Sequence, residues 1–411
     1  MSTAAPPEIQ AAAIDQDGSV ASLLRSRWEA LKGGDVGSLP VLVGILAITL
    51  FFTQKTDIFF TAVNFTNLIG QMAGVTVIAV GIVFVLLIGE IDLSVGYVSG
   101  IASVAVAEFQ SAGSNHDYPG LIAIALAILI GGGIGFIQGS IIAFLGVPSF
   151  VVTLAGLLIC QGMIINVLGS QGVVGIDDRY VLDVANYVLT DTTGWIVAGV
   201  FTGLLAIASF GTYVSRRRAG LPTGNIIVPI VRVVFYGGLA FAAVAVCNHS
   251  RGVPLVGLIM LFVVVLFAYI AGRTTFGRHV YAVGGNAEAA RRAGINVKLI
   301  RILCFVISGS MAGLGGVILA SRLNSVDLTF GGGTLLLDAI SAAVIGGVSL
   351  FGGRGEVRGA LLGALVIATI ANGLNIGGYS TGTIYVVTGI ILLLAVTLDT
   401  VARRLQVRAG R

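Results

Sequence analysis

Leu68-Ile69-Gly70-Gln71-Met72-Ala73-Gly74-Val75-Thr76-Val77-Ile78-Ala79-Val80-Gly81-Ile82-Val83-Phe84-Val85-Leu86-Leu87-Ile88 contains no charged side chain and only two polar ones. A helix needs about 20 apolar residues to cross a hydrocarbon core of roughly 30 Å, and this stretch supplies them. Similar runs recur in both directions along the chain. They predict membrane helices near residues 39–53, 68–88, 93–109, 120–144, 149–169, 194–213, 230–247, 254–272, 300–320, 335–350, 358–376 and 383–400. The expected fold class is all-α: a polytopic transmembrane helical bundle of about 12 helices.

Composition points the same way. Of 411 residues 56% are hydrophobic and 10% charged, with mean hydropathy +1.01, whereas a soluble domain carries roughly 25% charged residues. Gly supplies 59 residues, and within apolar helices it lets backbones approach closely. Gly131, Gly135 and Gly139, four apart in one apolar run, therefore read as a packing seam rather than as a dinucleotide fingerprint.

The net charge of +4 predicts orientation, not a nucleic-acid partner. With the N-terminus inside, the inner segments hold Arg25, Arg27, Lys32, Arg216, Arg217, Arg218, Arg232, Arg273, Arg278, Arg291, Arg292, Lys298, Arg301, Arg354, Arg358, Arg403, Arg404, Arg408 and Arg411. The outer segments hold only Lys55, Arg179, Arg251 and Arg322, and the outer loop 170–193 carries Asp177, Asp178, Asp183 and Asp191. That asymmetry places both termini in the cytoplasm. Residues 1–38 then form a cytoplasmic tail without the basic-then-apolar order of a signal peptide. Within it Val20, Leu23, Leu24, Trp28 and Leu31 have the spacing of an amphipathic surface helix. Residues 39–400 form the membrane domain, with a cytoplasmic loop at 273–299, and 401–411 a cytoplasmic C-terminal tail.

Cys160, Cys247 and Cys304 lie in or beside apolar runs and read as small apolar residues. His116, His249 and His279 fall in different loops, so no metal site is expected. The lysines, Lys32, Lys55 and Lys298, none of them after Gly, cannot form a Gly-Lys-Ser/Thr phosphate cradle, so the chain has no expected ATPase site.

The inner loop 273–299 contains Gly284-Gly285-Asn286-Ala287-Glu288-Ala289-Ala290-Arg291-Arg292-Ala293-Gly294-Ile295-Asn296-Val297-Lys298. Asn286 is placed to cap a short helix Ala287 to Ala293, Glu288 sits at its positive end, and Gly294 can close it in a left-handed turn. Helices under about 12 residues are marginal alone in water. This one needs a partner surface, unless the loop serves only as a topological anchor.

Here the sequence resembles the permeases of binding-protein-dependent ABC importers for ribose, xylose, galactose and arabinose, over nearly all the chain after residue 60. The resemblance rests on Gly89-Glu90-Ile91-Asp92-Leu93-Ser94-Val95-Gly96, on Gly277-Arg278 with Tyr281-Ala282-Val283-Gly284-Gly285-Asn286, Ala289-Ala290 and Gly294-Ile295, on Ser308-Gly309 with Ala312-Gly313, and on Gly346-Gly347, Ser349-Leu350 and Gly352-Gly353-Arg354-Gly355. It implies an ABC sugar importer-like permease fold in a bacterial plasma (inner) membrane. The chain would transport a monosaccharide, xylose first, handed over by an extracytoplasmic sugar-binding protein. It would pair with a second permease copy and carry no cofactor, ATP and Mg being used by separate ABC ATPase subunits. The resemblance also implies that Gly284, Gly285, Asn286, Glu288, Ala289, Ala290, Arg291, Arg292, Gly294 and Ile295 dock into the ATPase as a coupling helix. Two departures stand out: the pair near 194–247 is additional to the family's shorter members, and Glu90 stands where members often have Gly.

Ionisable groups near membrane segments are costly and often functional, which singles out Glu90, Asp92, Glu108 and Asp338. Glu90 and Asp92 either stabilise a helix break or face a solute path, and Glu108 and Asp338 lie near helix ends. Gln71, Gln138, Gln161, Asn166, Asn372 and Asn375 either line a path for a hydroxyl-rich solute or hydrogen-bond between helices. Ile88–Gly96 also echoes Ile345–Gly353, by chance or because the chain has two related halves. The rival functions are an ion- or proton-coupled secondary transporter, which would need Glu90 or Asp338 to titrate, and a membrane enzyme, which the scattered His disfavour.

Overall fold

The computed structural model describes residues 39–110, 119–221 and 225–408, so the amphipathic reading of Val20–Leu31 lies outside the described residues. Among these there are fifteen α-helices. Eight are long and apolar enough to cross a membrane, with shorter apolar helices at Val41–Lys55, Leu335–Ile345 and Thr381–Leu394. All twelve runs singled out by hydropathy fall on helices.

The chain divides into two compact units. The larger, Ser38–Val188 with Pro254–Arg411, holds α1 (Leu39–Lys55), α2 (Ala62–Leu87), α3 (Val95–Gln110), α4 (Gly120–Ser140, extended by a π turn Ile141–Leu145), α5 (Ser149–Leu168) and the outlying α6 (Arg179–Asn186). The smaller, whose described part lies within Leu189–Val253, holds α7 (Asp191–Arg218) and α8 (Ile227–Asn248). The larger unit resumes with α9 (Leu255–Arg273), α10 (Thr275–Gly285), α11 (Ala287–Arg292), α12 (Val297–Leu323), α13 (Leu335–Ile345), α14 (Val357–Ile376) and α15 (Thr381–Arg408). In the smaller unit α7 and α8 form a hairpin, with Trp195 stacked on Phe241 and the Asn248 amide donating to the Asp191 carbonyl at 3.2 Å.

The centre of the larger unit is α2 and α12, the most buried of its long apolar helices, at 72% and 67%. Capping explains their ends. Thr61 Oγ1 accepts from the Asn64 N–H at 3.2 Å to start α2, and Asn296 Oδ1 accepts from Leu299 N–H at 3.1 Å to start α12. Asn324, at φ 57°, stops α12. Along the predicted seam, Cβ atoms on Gly131 and Gly135 would strike the carbonyls of Gly309 and Phe305, so α4 and α12 touch backbone to backbone.

Two of the apolar runs form shorter helices than expected, each beside a break in the chain. After Gly89 (φ +76°) the chain runs extended until Val95 starts α3. Ser94 lies beside Ser308 through their shared bonds to Asp92, and Ser308 is roughly 16 Å along α12 from its first residue. Helix α3 thus begins part-way up the bundle. From the other end, a two-strand ribbon pairs β1 (Val173–Gly175) with β2 (Ser325–Asp327), Val174 opposite Val326. The chain beyond it packs Phe330 and Gly331 on Gly100 and Gly96 of α3 before starting α13. Helix α13 ends at Ile345 rather than at the expected 350, because Gly347 (φ +89°) turns the chain.

Candidate functional site

The segment 273–299, expected as a loop around one short helix, holds two helices. Thr274 Oγ1 accepts from Gly277 N–H at 3.2 Å and starts α10, whose Val280 and Val283 are buried. Asn286 ends that helix and caps the next: its Oδ1 accepts from Ala289 N–H at 2.9 Å. Helix α11 closes with Ala293 as C-cap, one residue earlier than the sequence suggested. The Gly294 N–H donates to the Arg291 carbonyl at 3.0 Å and the Ile295 N–H to the Ala290 carbonyl at 3.1 Å, with Gly294 at φ +86°. This is a Schellman closure, which satisfies carbonyls the helix cannot.

The electrostatics of α11 are local. Glu288, in its first turn, pairs with Arg291 and, at 3.3 Å, with Arg292, charges that also suit the two ends of the helix dipole. Ala290 is buried, whereas Gly285, Asn286, Glu288, Ala289, Arg291, Arg292 and Gly294 are exposed. The helix is anchored by one face and presents a polar face outward.

Behind α11, the arm α10 rests on the two chain breaks. A Cβ on Gly284 would collide with the Leu87 carbonyl, so α10 and the end of α2 meet backbone to backbone. The same Leu87 carbonyl accepts from Gly353 N–H at 2.8 Å, and the Tyr281 hydroxyl donates to the Gly355 carbonyl at 2.7 Å. The echoing segments Ile88–Gly96 and Ile345–Gly353 therefore meet at one end of the bundle. The helices before them differ in length, 26 residues in α2 against 11 in α13.

Both acids of the first break bind α12. Glu90 forms an ion pair with Arg301, Oε1 to Nε 3.3 Å. Asp92 is buried; its Oδ1 accepts from the Ser94 N–H at 3.0 Å and the Ser94 hydroxyl at 2.7 Å, and its Oδ2 accepts from the Ser308 hydroxyl at 2.8 Å. Gln138 of α4 reaches Ser94 Oγ at 3.1 Å.

Among the described residues, none of the other path candidates hydrogen-bonds to this cluster. Asn372 is buried in a reciprocal amide pair with Asn64, at 2.9 and 3.0 Å, and also donates to Gln71 at 3.2 Å. Those bonds join α14 to α2, as the interhelical alternative would have it. Asn375 returns its amide to the Ala371 carbonyl, Gln161 is half-buried and Asn166 exposed. Asp338 is half-buried in the first turn of α13, accepting from the Thr334 hydroxyl at 2.7 Å. Sequence reasoning placed Ser94, Tyr281 and Ser308 in the resembling motifs without giving them a role, and read Arg301 only as an orienting charge. The usable signal was the seven-residue spacing of Arg301 and Ser308, which puts both on one face of a helix.

Comparison with known proteins fits this architecture. Residues 64–396 match the family described as branched-chain amino acid transport system / permease component. The xylose transport system permease protein XylH of Escherichia coli K12 is 36% identical over 92% of this chain and 95% of its own length. XylH of Haemophilus influenzae is 34% identical over 90% and 98%, and the ribose import permease protein RbsC of E. coli K12 is 31% identical over 87% and 92%. No solved structure matches the chain. A polytopic helical bundle matched over most of its length by this family, with xylose and ribose permeases among its relatives, belongs to the permease-component family of transport systems.

Proposed function

We propose that the chain is the membrane-spanning subunit of an ATP-binding-cassette importer for a monosaccharide, with xylose the first candidate and ribose close behind. The observation that carries this reading is α11: a six-residue helix closed at both ends, buried by Ala290 and otherwise turned outward. So short a helix persists only when its shape is held from outside, as a docking element for an ATPase would require. About twelve helices would cross a bacterial plasma membrane with both termini inside, surrounded by lipid. Two permease copies would form the path, an extracytoplasmic binding protein would deliver the sugar, and ATP with Mg would be consumed by the ATPase subunits. Alternating access is the whole of this subunit's work, so it needs no cofactor and catalyses no covalent step.

The rival reading, an ion- or proton-coupled secondary transporter, would require Glu90 or Asp338 to load and release a proton. The pairing of Glu90 with Arg301 favours a structural role instead. The test is co-purification of the permease with its ATPase, followed by ATP hydrolysis measured with binding proteins loaded with xylose, ribose, galactose or arabinose. Stimulation by one loaded binding protein is the expected result. No ATPase capture and no stimulation by any of them would remove the importer reading.

A further inference from the structure

The first helix break is held on the element that follows α11. Glu90 and Asp92 are two residues apart in extended chain, about 7 Å, and their partners Arg301 and Ser308 are two turns apart on α12, about 10 Å; the longer reach of the Arg side chain takes up the difference. The break therefore lies along α12 and is pinned at two points, by an ion pair and by a buried carboxylate–hydroxyl bond. A third restraint comes from the arm before α11, where Gly284 sits against the Leu87 carbonyl at the start of the same break. Between arm and α12 stands only α11 with its caps, so a displacement of α11 loads both flanking elements.

We propose that Glu90, with Arg301, is a positioning pair that makes the break Ile88–Ser94 move with the ATPase-docking segment, so that motion of α11 shifts the start of α3 instead of dissipating in the loop. The inference rests on the importer reading and specifies how that site acts at a distance. Glu90 touches neither ATPase nor sugar in this role. It sets the geometry of the break through Arg301, and Asp92 sets it through Ser308. The ion pair is partly shielded, with side chains 16% and 31% exposed, so removal of one partner strands a charge at the protein edge.

The experiment compares Glu90→Arg, Arg301→Glu, the double exchange Glu90→Arg with Arg301→Glu, Glu90→Gln and Ser308→Ala in the complete transporter in proteoliposomes. Three readouts are taken: ATPase capture by the permease, ATP hydrolysis stimulated by loaded binding protein, and sugar moved per ATP hydrolysed. Capture by the wild-type permease checks the importer reading separately, because its absence there defeats that reading and with it this one. Given capture, the expected result is that both charge reversals retain the ATPase but lower the sugar moved per ATP at least about fivefold, and that the double exchange restores most of it. Glu90→Gln and Ser308→Ala should lower the ratio less, and they keep the test decisive if the reversals reduce permease abundance. A wild-type ratio in Glu90→Gln and Ser308→Ala overturns the proposal. So does a double exchange as defective as the single reversals at equal abundance.

Discussion

Gly294 offers the cleanest perturbation of α11. It sits at φ +86° with no atom within 4 Å of where a Cβ would stand, so a substitution meets open space and the whole cost comes from the backbone. An L-residue in the left-handed region costs about 1–2 kcal/mol, with Val at the upper end because of its branched Cβ. The two exposed pairs within α11, Glu288 with Arg291 and Arg292, are worth only about 0.2–0.5 kcal/mol each and are common to wild type and variant, so they do not offset that cost. A loss of about 1.4 kcal/mol lowers the ratio of closed to open α11 about tenfold. Gly294→Val should therefore leave permease abundance normal while weakening ATPase capture and abolishing most ATP hydrolysis stimulated by the loaded binding protein. Gly294→Asn should retain much of both, because Asn enters the left-handed region readily. Asn286→Ala removes the opposite closure, at about 0.5–2 kcal/mol, and should lie between them. The reasoning is refuted if Gly294→Val and Gly294→Asn behave alike, or if both hydrolyse ATP as the wild type does.

Other consequences can be checked with simple assays. Gly135→Leu forces a branched side chain into the Phe305 carbonyl and should give a membrane-inserted protein that aggregates in detergent, read by size-exclusion chromatography; a monodisperse peak would contradict the seam. Arg217→Cys and Ala293→Cys, at exposed positions, should be labelled by an impermeant maleimide only from the cytoplasm, and Tyr180→Cys only from outside; labelling of position 293 from outside would reverse the topology. Asn372→Leu should cost about 1–3 kcal/mol by leaving the Asn64 amide short of a partner. It should lower thermal stability while leaving the apparent affinity for sugar unchanged, and a selective loss of affinity would return Asn372 to the solute path.

Much of the fold was legible because the bilayer imposes long apolar runs on the chain, and each of the twelve runs became a helix. Apart from the early end of α13, which Gly347 sets locally, the misses come from long-range partners. Helix α2 begins at Ala62, before the run at 68, because buried Asn64 is satisfied by Asn372, far away in sequence. Helix α10 was unreadable because Gly277, Gly284 and Gly285 look like breakers, whereas Gly284 is there to let α10 lie on the Leu87 carbonyl. The caps of α11 were legible because Asn286 and Gly294 act within a few residues of themselves. Glu90 was readable as a turn residue, but its partner Arg301 entered the sequence reading only as an orienting charge. The polar path candidates were chosen by residue type alone, which does not distinguish a helix-joining amide such as Asn372 from a solute ligand.

The central claim, that this chain is a permease driven by ATP through a docked α11, is tested most directly by uptake into proteoliposomes holding the permease and its ATPase, with ATP and Mg on the ATPase side and loaded binding protein on the other. The account predicts accumulation of one monosaccharide that stops without ATP, stops without the binding protein, and persists when an ionophore collapses the proton gradient. Uptake that needs neither ATPase nor binding protein and disappears with the proton gradient, above all if Glu90→Gln abolishes it, would contradict the account.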